Sequence, residues 1–177
     1  VDGEKEILDM IQFIKKQDLK NVVVVGGYEA DKVTEELKAN NIAVLAQRAH
    51  LTPDQDDEDY DASYKLAKTL YDAGVLVGLE SSGSMERMNT RNLPFYAGTI
   101  AGYGMEKEDA LKLITSNTAK ILGIDDKLGT LEKGKDATLF ISDGDALDMR
   151  GNIISRVFIQ GRDVSLDTHQ TELYERY

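Results

Sequence analysis

Three short apolar runs, separated by helical patterns, constrain this chain more than any other feature. They are NVVVV (Asn21–Val25), IAVLA (Ile42–Ala46) and VLVGL (Val75–Leu79). Val22 to Val25 show no polar alternation, which predicts a strand buried on both faces and suits a parallel sheet. Ile7, Leu8, Ile11 and Ile14 recur at helical spacing and predict a helix over residues 4–17. Ala30, Val33 and Leu37 form the inner stripe of a second helix, ended by Asn40-Asn41. Leu66, Ala67, Leu70 and Ala73 form a third, ended by Gly74. This α-β-α-β-α-β order, with short turns, predicts right-handed crossovers and a parallel α/β layer. Three strands are few for so apolar a sheet. The sheet is therefore expected to continue in residues outside this sequence, or to be covered by another chain. The sequence opens at Val1, without methionine and next to a helical pattern. Its true N-terminus, with any signal peptide, is expected to lie upstream.

After Gly83 the pattern changes. Residues 92–103 and 106–122 read as helices, the second breaking and restarting near Ser116-Asn117, both good N-cap residues. Then LGTLEKGKDATLFIS brings two glycine-bearing turns and a strand over Ala137–Ile141. ISRVFIQGRDV reads as a strand, a tight turn at Gln160-Gly161 and a short return strand. The tail THQTELYERY is weakly helical. The chain divides near Gly123 into an α/β part, residues 1–123, and a small β part with its tail, residues 124–177.

Charge and composition exclude several functions. With 21 Lys and Arg against 32 Asp and Glu, the net charge is −11. There is no basic stripe to neutralise phosphates, so no nucleic-acid partner is expected, nor an anionic membrane surface. No apolar run approaches the ~20 residues of a membrane span, and the chain reads as soluble, its compartment open. There is no cysteine, hence no thiol nucleophile, disulfide frame or zinc knuckle.

The chemistry-bearing residues gather after the apolar runs, where the carboxyl ends of parallel strands hold active sites. VVGGYEA lacks both GxGxxG and GxxxxGK[ST] and reads as a plain strand-to-helix turn. GLESSGS is not GxSxG, and neither His50 nor His169 is placed beside it by spacing. Glu80 is a candidate acid or base, set against a solvated strand terminus. His50, just past the second run, is the candidate general base of that rim and a candidate substrate contact, set against an exposed or structural histidine. Arg87 and Arg91 are candidates for binding a substrate carboxylate, set against solvated or ion-paired arginines. DQDDEDYD (Asp54–Asp61) lacks the order of an EF-hand loop and reads as a solvated acidic loop.

One resemblance covers nearly the whole chain. EDALKLITSNTAKILGIDDKLGTLEKGKDATLFISDGDAL, followed by VFIQGRDV, resembles the closing segment of the amidohydrolase superfamily, imidazolonepropionase-like members above all. The shared features are the turn at Thr115–Ala119, the step Leu122-Gly123, the hairpin Gly129–Ala137 and the closing Gly161–Val164. YDAGVLVGLESSG and RNLPFYAGTIAGYG extend it more weakly upstream. The resemblance implies the last three βα units of a distorted (β/α)8 barrel, plus the C-terminal share of a small β-sandwich. It implies hydrolysis of non-peptide C–N bonds in cyclic amides or related small molecules, with a divalent metal, commonly zinc. The missing N-terminal barrel half, or further copies of the chain, would be the partners.

The same resemblance implies that two metal positions are vacated. Relatives end the last barrel strand in a metal-binding aspartate, which falls at Ser81 or Ser82 here. Many end an earlier strand in a histidine, which falls at Gly26 or Gly27. Serine and glycine do not replace such ligands, so no metal is expected on this chain. A non-catalytic binding protein or structural pseudoenzyme is the alternative to a working hydrolase.

Overall fold

The computed structural model of the protein describes residues 1–82 and 86–177, the side chains of Glu86 and Arg87 excepted. Gly83 and Ser84 of GLESSGS, and the Arg87 side chain, thus lie outside the described residues. Helix α1 (Glu4–Gln17) precedes strand β1 (Val23–Gly26). A 3-10 turn (Ala30–Val33) leads into α2 (Thr34–Ala39), β2 (Ala43–Ala46), α3 (Ala62–Asp72) and β3 (Val77–Leu79). The three strands form one parallel sheet in the order β1-β2-β3. Val24, Val44 and Val77 fall in one row across it. That row is buried in the main core with Ile7, Leu37 and Leu70 from the helices.

The other face departs from the double burial expected of the valine run. Val24 is 1% exposed, but Val25 is 46% exposed. The row of Val25, Leu45 and Gly78 is covered only at its β3 end. There a methyl on Gly78 would lie 2.7 Å from Thr118 Oγ1 and 3.1 Å from Leu113 O, so glycine lets the following helices approach the strand. The two edges of the sheet differ. Val1 N donates to Val25 O (3.4 Å) and Val1 O accepts from Gly27 N (3.0 Å), the paired bonds of a parallel bridge along β1. On the opposite edge, Asn117 Nδ2 donates to Val77 O at 3.0 Å.

Beyond β3, a 3-10 segment (Glu86–Asn92) leads into α4 (Leu93–Gly102), α5 (Lys107–Ile114) and α6 (Ser116–Leu122). The break between α5 and α6 is at Thr115, one residue before the expected caps. Ser116 and Asn117 lie inside α6, and its start has no side-chain cap. Asn117 serves the sheet edge instead. It is 7% exposed, so Asn117→Ala should cost about 1–3 kcal/mol by leaving Val77 O unpaired. Urea unfolding should show a lower midpoint at an unchanged slope.

The last part forms an antiparallel sheet, β4 (Leu139–Ser142), β5 (Ile154–Ile159) and β6 (Arg162–Val164), followed by α7 (His169–Arg176). Gln160 (φ 51°) and Gly161 (φ 77°) make the β5–β6 turn, the two left-handed residues a tight right-twisting hairpin needs. The segment between β4 and β5 docks on the helices. Leu147 joins the main core, and Lys107 pairs with Asp145 at 2.5 Å. That pairing holds the Asp145 carboxyl below its usual range, helped by the Leu147 N–H.

Candidate functional site

Because β1, β2 and β3 are parallel, their carboxyl ends open on one edge. Gly26-Gly27 closes β1, Gln47 to His50 follow β2, and Glu80 to Ser82 follow β3. Gly26 and Gly27 have φ of +97° and +65°, a conformation glycine adopts freely and other residues resist. This is why the chain can turn at once from β1 into the 3-10 segment.

His50 is held outward. Its Nε2 lies 3.0 Å from Thr99 Oγ1, and that hydroxyl donates its single proton to Phe95 O at 2.9 Å. The imidazole is therefore the donor, and Nε2 carries the hydrogen. Tyr96 meets the ring edge-on at 5.1 Å and Tyr64 tilts against it at 5.8 Å. Tyr64 in turn stacks on Tyr103 at 4.9 Å. The buried Ser63 hydroxyl, 2.8 Å from Ala49 O and 3.0 Å from Leu51 O, fixes the backbone on both sides of His50. The histidine is exposed. No hydrogen bond or ring contact links it to Glu80 or Arg91 among the described residues. Nothing in the sequence marks these holders, since Tyr96, Thr99 and Tyr103 read only as one more helix face.

Glu80 is half-buried and its carboxylate accepts the backbone N–H of Ser82. Its own N–H donates to Ala46 O at 3.0 Å, so the residue ties the end of β3 to β2 and closes its own loop. Arg91 is exposed just before α4 and lies on a different cleft, between the helices and the antiparallel sheet.

The acidic loop is exposed as expected, except at Glu58 and Asp61, which are held inward. Tyr28 OH donates to Glu58 Oε2 at 2.5 Å, and Asp54 N and Gln55 N donate to the same oxygen at 3.1 and 3.4 Å. Asp61 is buried and pairs with Lys65 at 2.7 Å. The Tyr28 hydrogen bond, then the two amides, hold Glu58 below the usual carboxylate range. Burial first, then Glu58, pushes the Tyr28 phenol up. A lowered carboxylate stabilises above its unfolded value of about 4.3, and that contribution is lost as pH falls through the lowered folded value. The loop should thus stay closed above the ordinary glutamate range and loosen only as pH falls through the lowered Glu58 value. In Tyr28→Phe, NMR titration of the Asp54 and Gln55 amides should show the loosening at a higher pH.

The metal that the resemblance implies does not fit the residues present. Among the described residues, no three His, Asp, Glu or Cys side chains converge closely enough to hold an ion. The Asp2 carboxylate fills the space over Gly26. A Cβ on that glycine would lie 2.4 Å from Asp2 Oδ1. At β3, the Glu80 carboxylate is engaged by the Ser82 amide. These groups do not supply the three or so protein ligands of a catalytic zinc.

Comparison with known proteins agrees with the fold. The sequence model of the amidohydrolase family matches residues 9–165. An imidazolonepropionase from Thermoplasma volcanium is 36% identical over 119 residues, which cover 64% of this chain and 29% of that protein. The crystal structure of an amidohydrolase from Thermotoga maritima superposes with a TM-score of 0.79 at 31% identity, over 93% of this chain and 42% of that one. Molinate hydrolase shares the fold at 18% identity and a TM-score of 0.62, over 89% of this chain and 41% of its own. The chain thus spans less than half the length of each of these relatives.

Proposed function

The chain belongs to the amidohydrolase family, and from that membership we propose that it forms the C-terminal part of an amidohydrolase-like protein whose metal site is degenerate on this side. Residues 1–123 would supply the last three βα units of a (β/α)8 barrel, and residues 124–177 the C-terminal share of a β-sandwich. The parallel bridge of Val1 to β1 supports the first assignment, because the sheet already accepts a further parallel strand on that edge. The exposed Val25 face supports it too, as the side turned to a barrel interior.

The observation that carries the reading is the Asp2 carboxylate over the left-handed Gly26. Where relatives are implied to carry a metal-binding histidine, this chain has no side chain, and the Asp2 carboxylate packs against that turn. The protein then binds a small molecule of the cyclic amide class at the barrel mouth, with His50 and Glu80 as rim contacts, and does not hydrolyse it with a metal held here. Calorimetric titration of the full-length protein with zinc, and then with a cyclic amide, tests this. Amide binding without turnover, unchanged by zinc, is expected. Zinc-dependent hydrolysis that survives in Ser82→Ala but is lost in Glu80→Gln would overturn it in favour of a working hydrolase.

A further inference from the structure

Away from the strand ends, a cleft of about 320 Å³ lies where the antiparallel sheet docks on the helices. Leu93 and Pro94 of α4, Leu111 and Ile114 of α5, Phe140 of β4 and Leu147 of the docking segment give it an apolar lining. Phe140 lines the cleft and is 42% exposed. Ala146, two threonines and Arg91 complete the wall as far as the described residues form it, and none of these is acidic. Arg91 carries the cleft's single charge, and it forms no hydrogen bond or ion pair among the described residues. In a protein with 32 acidic and 21 basic side chains, this guanidinium beside an apolar cleft takes no partner among the described residues.

We propose that this cleft binds a small amphiphilic carboxylate, its apolar body on Phe140, Ile114 and Leu147 and its carboxylate on Arg91. The planar guanidinium donates two parallel hydrogen bonds to a carboxylate, a fit that a point-charge lysine lacks. No acidic side chain among the described lining residues repels the anion. At roughly 30 Å³ for each water-sized group, the cleft takes on the order of ten non-hydrogen atoms, the size of a medium-chain fatty acid. Clefts at the junction of two structural parts, mostly apolar with a few polar anchors, are where small ligands bind. The site is separate from the strand ends, so it stands whether or not the barrel mouth holds a metal.

Titration of the full-length protein with octanoate, followed by methyl NMR, tests the proposal. Saturable shifts at Ile114 and Leu147 are expected, at roughly millimolar affinity for a ligand of this size. Arg91→Gln, an exposed substitution that leaves the core untouched, should weaken octanoate at least tenfold. Octanamide should bind the unaltered protein about as weakly as octanoate binds that variant, and acetate should not bind. Equal affinity of octanoate for both proteins, shifts confined to other methyls, or no binding would each overturn the proposal.

Discussion

Gly98→Ala is expected to destabilise the protein by about 3 kcal/mol and to loosen the antiparallel sheet from the helices. A methyl at Gly98 would sit 2.0 Å from Leu147 O and 3.0 Å from the same carbonyl carbon. Both are backbone atoms, so no rotamer change clears them. Either α4 distorts or the segment around Leu147 lifts off, and Leu147, only 8% exposed, then gives up about 2 kcal/mol of burial. Overpacking costs about 1–3 kcal/mol, more where the backbone is the obstacle. Alanine returns about 1 kcal/mol through its helix preference. The net loss corresponds to about 6–12 °C in the melting temperature for a chain of this size. Gly102→Ala is the control. It lies in the same helix, nothing stands within 4 Å of its added methyl, and it should be neutral or stabilising by up to ~1 kcal/mol. Equal melting temperatures for the two variants would show that the contact at Leu147 yields without cost. The octanoate site should weaken in Gly98→Ala as well, since Leu147 lines it.

The same lock shows where sequence reasoning stops. The helices and both sheets were legible because their signals are local. Ile7, Ile11 and Ile14 lie 3–4 residues apart and are all buried, and Gln160-Gly161 is a turn by its own chemistry. Gly98 carries no such signal. In sequence it is one glycine in a helical pattern, and its reason, a carbonyl from residue 147, is 49 residues away. Thr99 and Tyr96, which hold His50, are hidden in the same way. The doubly buried reading of Val22–Val25 failed at Val25 because a run of valines reports what a strand can bury, not what this chain provides to cover it. The acidic loop is exposed at six of its eight residues, as its charge density predicts, but charge density alone cannot show that Glu58 faces Tyr28. At the strand ends, the resemblance supplied the positions Gly26 and Ser82, but only coordinates show Asp2 lying over the first and Glu80 turned toward the second.

Gly26→His is expected to cost stability and to create no zinc site. The glycine has φ +97°, where a non-glycine residue is strained by about 1–3 kcal/mol. Its Cβ would meet the Asp2 carboxylate at 2.4 Å. Asp2 is an exposed side chain and can swing aside, so the steric part of the penalty is relieved in Asp2→Ala/Gly26→His. The backbone part is not, and the double variant should recover only a portion of the lost stability. Neither protein gains a ligand set. The new imidazole would have the Glu80 carboxylate two strands away across the sheet, already accepting the Ser82 amide, and His50 held outward on Thr99. A catalytic zinc needs about three protein ligands and an open position, and a tightly bound ion would raise the melting temperature by mass action. Neither variant should melt higher when zinc is added, and neither should retain zinc after exhaustive dialysis. Near-stoichiometric zinc in the unaltered protein, lost in His50→Ala, would mean that the rim carries a metal site built from other residues and that Gly26 was never its vacated position.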